Sequence, residues 1–127
     1  MIFNWLSGFV VYQHHNHPRL QWYASRADWD FVKGQVDSTV HVRFPWPIGL
    51  LFHNIMEHTA HHVDPRIPLY QLEAAQRGVE DAYGEHVIIV DRWWPSLRAA
   101  LRDCQLYDYS HQRWCRFRDA QIDRLVI

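Results

Sequence analysis

The chain has 127 residues, a length that predicts one compact unit. Its formal net charge of -1, from 13 Lys and Arg against 14 Asp and Glu, argues against the basic surface of a nucleic-acid-binding protein. Its two cysteines exclude a dense disulfide scaffold. Ten histidines are the unusual feature, and eight of them lie at or before position 62.

The first predicted element is an apolar helix over residues 2–14. Its opening run, MIFNWLSGFVVY, is shorter than the roughly 20 residues that span hydrocarbon. The run also lacks the basic region and the cleavage site of a signal peptide. Taken alone it predicts a soluble or peripheral protein. As part of a longer chain it predicts the last turns of a transmembrane helix.

Two further helices are predicted before residue 64. In SRADWDFVKG, Ser25 and Asp28 form a capping box and Gly34 favours a helix end. VDSTVHVRFPWP predicts extended or irregular chain. A longer helix then runs from Pro47, a favoured first-turn residue, to about Val63.

The segment VDPRIP breaks the chain, and two more helices follow. LYQLEAAQRGVEDAYG predicts an amphipathic helix, because Leu69, Leu72, Ala75 and Val79 share one face. HVIIVD predicts a short strand or a buried connector, and WWPSLRAALRDCQ predicts a helix after Pro95. The aromatic and charged tail shows no clear period. The sequence therefore predicts a mainly α-helical fold.

The predicted helix over 47–63 carries the segment FHNIMEHTAHHVDP. At about 100° per residue, Asn54, His58, His61 and His62 fall within a stripe of roughly 100°. Three imidazoles at the spacing i, i+3, i+4 then point towards one pocket. A lone pair of histidines is usually a surface or hydrogen-bonding feature, whereas this set favours a metal site, and imidazole suits Fe, Cu, Zn or Ni.

Other polar side chains accompany this stripe. His53 lies at its edge, and Glu57 and Asp64 are close enough to accept the second ring N–H of a metal-bound histidine. A second cluster, QHHNHP, offers one or two further ligands. Three isolated histidines are assigned to the surface or to local hydrogen bonding: His41, His86 and His111.

The segment FHNIMEHTAHHVDPRIPLYQLEAAQ resembles the third histidine box of the membrane fatty acid desaturases. It has the H-x-x-H-H form of that box and the flanks of the omega-6 (acyl-lipid delta-12) branch. Upstream, GFVVYQHHNHPRLQWYASRADWDFVKGQVDSTV resembles the segment that joins the last transmembrane helix to the box. Downstream, LRDCQLYDYSHQRW resembles the tail of bacterial members. The resemblance covers about residues 8–117.

This resemblance implies a helical membrane protein with a non-haem di-iron centre in a cytosolic cap. Such an enzyme uses O2 and two electrons, from ferredoxin or cytochrome b5, to introduce a double bond into an acyl lipid or acyl thioester. The resemblance assigns four iron ligands: His15, His58, His61 and His62. Four other residues become candidate ligands or hydrogen-bond partners of ligands: His17, His53, Asn54 and Glu57.

The family has three histidine boxes, and this sequence contains the last of them. We therefore expect a C-terminal fragment of a membrane-bound desaturase, inactive without its N-terminal part, with residues 1–14 ending a transmembrane helix and 15–127 forming the cytosolic cap. Two alternatives stay open. One is a small soluble interaction protein or mononuclear Zn or Fe protein, and the other is a segment of a related di-iron hydroxylase or carotenoid oxygenase.

Overall fold

A computed structural model describes residues 1–120 of the chain. Six α-helices dominate this part: α1 (Ile2–His15), α2 (Phe31–Gln35), α3 (Trp46–Leu51), α4 (His58–Val63), α5 (Leu72–Tyr83) and α6 (Trp93–Asp103). Four short strands accompany them: β1 (Val40–Val42), β2 (Ile88–Val90), β3 (Leu106–Asp108) and β4 (Arg113–Cys115). The prediction of a mainly α-helical fold is confirmed.

Helix α1 forms where the apolar run predicted it, and its two ends differ in burial. Near its start, Phe3 and Trp5 are exposed, whereas Val10, Gln13 and His14 near its end are buried. Among the described residues, no helix combines the length and hydrophobicity needed to cross a bilayer. The buried end of α1 therefore contributes to the fold, and its other end is an uncovered apolar surface.

Strands β1 and β2 pair in parallel and place their hydrophobic side chains in one small core. Val40 lies opposite Ile88 and Val42 opposite Val90, and both valines of β1 pack around the buried Leu20. The prediction of extended chain is confirmed for β1, and HVIIVD forms a strand rather than a connector alone. Strands β3 and β4 form an antiparallel hairpin in the tail, whose last residues, 121–127, lie outside the described part.

A second core joins α4 to α5. Ala60, Leu72 and Val79 are buried together with Val36 and Val87. The apolar face predicted for α5 is thus confirmed, although its first member, Leu69, lies in a preceding 3₁₀ turn and is 43% exposed. This core lies beneath α4 and fixes where the histidines of that helix point.

The predicted capped helix over 25–34 is replaced by two shorter elements. A 3₁₀ turn covers Arg26–Asp28, and α2 begins after Asp30, whose side chain accepts a hydrogen bond of 2.9 Å from the Lys33 amide. Gly34 lies inside α2 instead of ending a helix. The indole of Trp29 covers it so closely that a Cβ there would overlap the indole ring.

The prediction of one helix over 47–63 is wrong. Helix α3 ends at Leu51, and α4 begins at His58 after a turn. His53 and Asn54 have positive φ angles of 52° and 59°, in the left-handed region that an α-helix does not contain. These two left-handed residues therefore separate the stretch into two helices.

Candidate metal centre

Three histidines from two helices meet at one point in the fold. His15 is the last residue of α1, and His58 and His62 lie one turn apart on α4. One ligand atom from each lies within 4.8 Å of the others, and the Nε2 atoms of His15 and His58 are 3.1 Å apart. We call these three residues the histidine group.

The spacing of His15 and His58 within the histidine group fits two ligands of one metal ion. Metal–imidazole bonds of about 2.1 Å at a right angle place two nitrogens about 3 Å apart. The distance of 3.1 Å between His15 and His58 matches that arrangement. Two nitrogen lone pairs do not face each other at this distance without a proton or a cation between them. The donors are all imidazoles, which suit iron as well as zinc or copper.

Hydrogen bonds at the outer ring nitrogens orient two of these imidazoles. Nδ1 of His58 donates to the carbonyl of Ile55 at 3.3 Å, and Nδ1 of His62 donates to Oε1 of Gln35 at 3.3 Å. In these tautomers Nε2 of each ring keeps its lone pair for a metal. A partner on the outer nitrogen is the usual way that a ligating histidine is oriented.

Burial keeps the histidine group neutral. It lowers the pKa of His58 to about 2, and repulsion by His14 and His62 acts in the same direction. Burial also lowers the pKa of His62 to about 4, and it lowers the pKa of His15. Since only neutral imidazole binds a metal, all three side chains are in the ligating form at pH 7.

His61, the third histidine of the box, lies beside the group. Its ring centroid is 5.6 Å from that of His58 and 6.1 Å from that of His62, and it is not among the three clustered ligand atoms. On a helix, i and i+4 share a face more closely than i and i+3. The spacing of His58 and His62 therefore converges on His15, and His61 points to one side.

The weaker candidates take other places. Nδ1 of His17 accepts a hydrogen bond from the Arg19 amide at 3.2 Å, outside the histidine group. His53 and Asn54 lie in the turn before α4, so they do not share a helical stripe with the box. The carboxylate of Glu57 lies against His41 instead of a box histidine.

Asp64 also takes a partner other than a histidine. Its carboxylate accepts two hydrogen bonds from the Arg66 guanidinium, each 2.9 Å long. Among the described residues, the outer hydrogen-bond partners of His58 and His62 are thus Ile55 and Gln35, and Glu57 and Asp64 have other partners. Backbone carbonyls are available to any histidine, which is why sequence does not identify them.

Two buried histidines near the box were not predicted as site residues. His14 is fully buried, its ring centroid lies 4.5 Å from that of His58, and its Nδ1 donates to the Val10 carbonyl at 2.7 Å. Its place in the QHHNHP cluster is the signal that indicates it.

His41 is 5% exposed and lies against Glu57 and Glu80. The surface or local role predicted for it is wrong, because its partners lie far along the chain.

Most of the chain, and not the histidine segment alone, is similar to known proteins. A family model for fatty acid desaturase matches residues 1–94. The chain is 33% identical to the chloroplastic omega-6 fatty acid desaturase of Spinacia oleracea, over 82% of this chain and 23% of that protein. It is 31% identical to the sn-1 oleoyl-lipid 12-desaturase of Picosynechococcus sp., over 84% of this chain and 30% of that protein.

A third relative is the sn-1 acyl-lipid omega-3 desaturase (ferredoxin) of Nostoc sp., 35% identical over 65% of this chain and 22% of that protein. The chain thus spans less than a third of the length of each of these relatives. The histidine group and the whole H-x-x-H-H box lie inside the region matched by the family model. The chain belongs to the fatty acid desaturase family.

Proposed function

We propose that this chain is the C-terminal segment of a membrane fatty acid desaturase and contributes histidine ligands to a non-haem di-iron centre. The complete enzyme introduces a double bond into an acyl chain with O2 and two electrons. The observation that carries this proposal is the convergence of His15, His58 and His62 in a chain of this family. Iron held there supplies the oxidising power that removal of two hydrogens from an unactivated acyl chain requires.

Different histidines of the chain bind the two irons of the proposed centre. His15, His58 and His62 hold one iron through neutral imidazole nitrogens, while Ile55 and Gln35 orient two of the rings. We assign His61, which lies beside the group, to the second iron. The other ligands of that iron belong to the first two histidine boxes, which this sequence does not contain. The 127 residues alone are therefore inactive in desaturation.

The domain assignment and partners follow from the same proposal. Residues 1–14 end a transmembrane helix, and residues 15–127 form the cytosolic cap. The substrate is a fatty acyl lipid or acyl thioester, and the names of the Picosynechococcus and Nostoc relatives support the lipid. The electron donor is ferredoxin or cytochrome b5, and the name of the Nostoc relative supports ferredoxin.

Metal titration tests the centre in the purified chain. We expect one Fe(II) per chain under anaerobic conditions, and we expect His58→Ala and His62→Ala each to weaken binding by at least about tenfold. His111→Ala is the matched control, because that histidine is exposed and bonded to Asp108. Tight stoichiometric zinc with no uptake of iron would instead favour the mononuclear alternative.

Fatty-acid profiling of a bacterial host tests the reaction. The chain replaces the matching C-terminal segment of the Picosynechococcus desaturase, and a second host carries the 127 residues alone. We expect new double bonds from the chimaera, none from the short chain, and none from the chimaera with His58→Ala. New double bonds in the second host would contradict the proposed inactivity, and an active His58→Ala chimaera would contradict the proposed ligand.

A further inference from the structure

Behind the box helix, a buried histidine joins two carboxylates. His41 of β1 is 5% exposed, and its Nε2 lies 2.7 Å from Oε2 of Glu57, the residue directly before α4. Its Nδ1 donates to Oε1 of Glu80 on α5. Burial lowers the pKa of His41, but the contacts with Glu57 and Glu80 outweigh burial and raise the pKa. His41 thus links α4 to α5 through a hydrogen bond to Glu80 and a close charge contact with Glu57.

A glutamine continues this link to the backbone of α4. Oε1 of Gln76 accepts a hydrogen bond of 2.9 Å from the Ala60 amide, and its Nε2 donates to Oε1 of Glu80 at 3.2 Å. The Ala60 amide lies in the first turn of α4, where no carbonyl of the same helix is available to it. Gln76 therefore caps α4 from another helix.

Helix α4 needs this external support. It has six residues, far fewer than an isolated helix requires for stability. Its N-cap residue, Glu57, makes no side-chain capping bond, because its carboxylate is directed to His41. The first turn of α4, which begins with His58, is thus stabilised by contacts with His41 and Gln76 from other elements. The residues next to it in the chain provide no side-chain capping bond.

We propose that His41, together with Glu80 and Gln76, positions the box helix so that His58 and His62 meet His15. His41 is a positioning residue. Its ring nitrogens contact Glu57 and Glu80, and it acts on the histidine group through Glu57 and α4. This inference rests on the proposed metal centre. It adds that the contacts of His41, Glu80 and Gln76 set the metal affinity and the ligand geometry of that centre.

Cobalt binding to the full 127-residue chain tests this role, with Co(II) alone as the probe. We expect His41→Gln to weaken Co(II) binding about tenfold and to shift the visible absorption of the bound ion, because the ligand geometry changes. Glu80→Gln keeps the shape of the side chain and should weaken binding by a smaller factor. The matched control is His86→Gln, which removes another histidine–carboxylate pair, the one with Asp37.

Several outcomes would overturn the positioning role. Wild-type affinity and an unchanged cobalt spectrum in folded His41→Gln would reduce His41 to a purely structural residue, even if the melting temperature fell. If His41→Gln does not fold by circular dichroism, Glu80→Gln decides in the same way. An equal loss in His86→Gln would also contradict it. Absence of cobalt binding in the wild-type chain would remove the proposed metal centre and this inference together.

Discussion

At the scale of single residues, surroundings give the histidines of this chain opposite properties. His14 is fully buried, and burial lowers its pKa to about 4. His41 is almost as buried, yet Glu57 and Glu80 raise its pKa. Two identical side chains in one chain thus have pKa values shifted in opposite directions by their surroundings.

The low pKa of His14 predicts an acid-sensitive fold for the metal-free chain. In the unfolded chain His14 binds a proton near pH 6.5, and in the folded chain only near pH 4. The unfolded state thus binds more protons between these values, so stability falls as the pH falls through this window. The shift corresponds to about 3 kcal/mol between pH 7 and pH 4. Urea unfolding of wild type and His14→Gln at pH 7, 5.5 and 4 measures it.

We expect His14→Gln to lose less stability than wild type over this window. Carboxylates and the other buried histidines also titrate in acid, so the difference between the two proteins is the informative quantity. His111→Gln, at an exposed position, controls for removal of any histidine. An equal acid-induced loss in wild type and His14→Gln would show that His14 does not carry this sensitivity.

The histidine group was largely predictable from sequence, whereas its support was not. The i, i+4 spacing of His58 and His62 and the QHHNHP cluster indicate the residues that meet. His41 gives no such signal, because Glu57 and Glu80 approach it only after β1, α4 and α5 have packed. Short motifs identify ligands on one element, and tertiary contacts decide which side chains hold that element.

At the scale of elements, the stretch between Pro47 and Val63 shows why a periodic pattern is not sufficient. The apolar and polar residues fit one helix, yet the chain turns at His53 and Asn54. Asparagine is among the few residues that adopt the left-handed region at low cost. Tertiary packing of Ala60 against α5 then decides in favour of the broken form.

The turn predicts an unusual order of stability for substitutions at the exposed His53. Glycine adopts a φ of 52° without strain, whereas β-branched valine is disfavoured there. We expect His53→Gly to remain within about 1 kcal/mol of wild type and His53→Val to lose about 1–2 kcal/mol. Chemical unfolding of the two variants measures the difference.

A continuous helix would give the opposite order, since glycine is the worse residue in a helix interior. The same pair of substitutions at Gln21, an exposed residue outside the helices, controls for general effects of the two residue types. A His53→Gly variant less stable than His53→Val would contradict the turn and favour one helix.

At the scale of the whole molecule, α1 and α3 together present an uncovered apolar surface. Trp5 of α1 is 82% exposed, and on α3 Trp46 is 79% and Leu51 75% exposed. The ring of Phe9 on α1 lies 6.5 Å from that of Phe52, the residue that follows α3, so the end of α3 lies beside α1. Exposed apolar patches of this kind mark surfaces that are covered by a membrane or another protein.

This surface predicts that the chain binds lipid bilayers through α1 and α3, with tryptophans at the interface. Burial of a large apolar side chain contributes about 1.5–3 kcal/mol, so Trp46→Ser and Leu51→Ser should each weaken binding to phosphatidylcholine vesicles by roughly tenfold or more. Vesicle co-sedimentation across a range of lipid concentrations gives the partition coefficients. Trp94→Ser, at a 54% exposed position on α6, is the matched control. Equal weakening by all three substitutions would assign vesicle binding to general hydrophobicity, whereas loss confined to α3 would identify the face that the proposed membrane enzyme turns towards lipid.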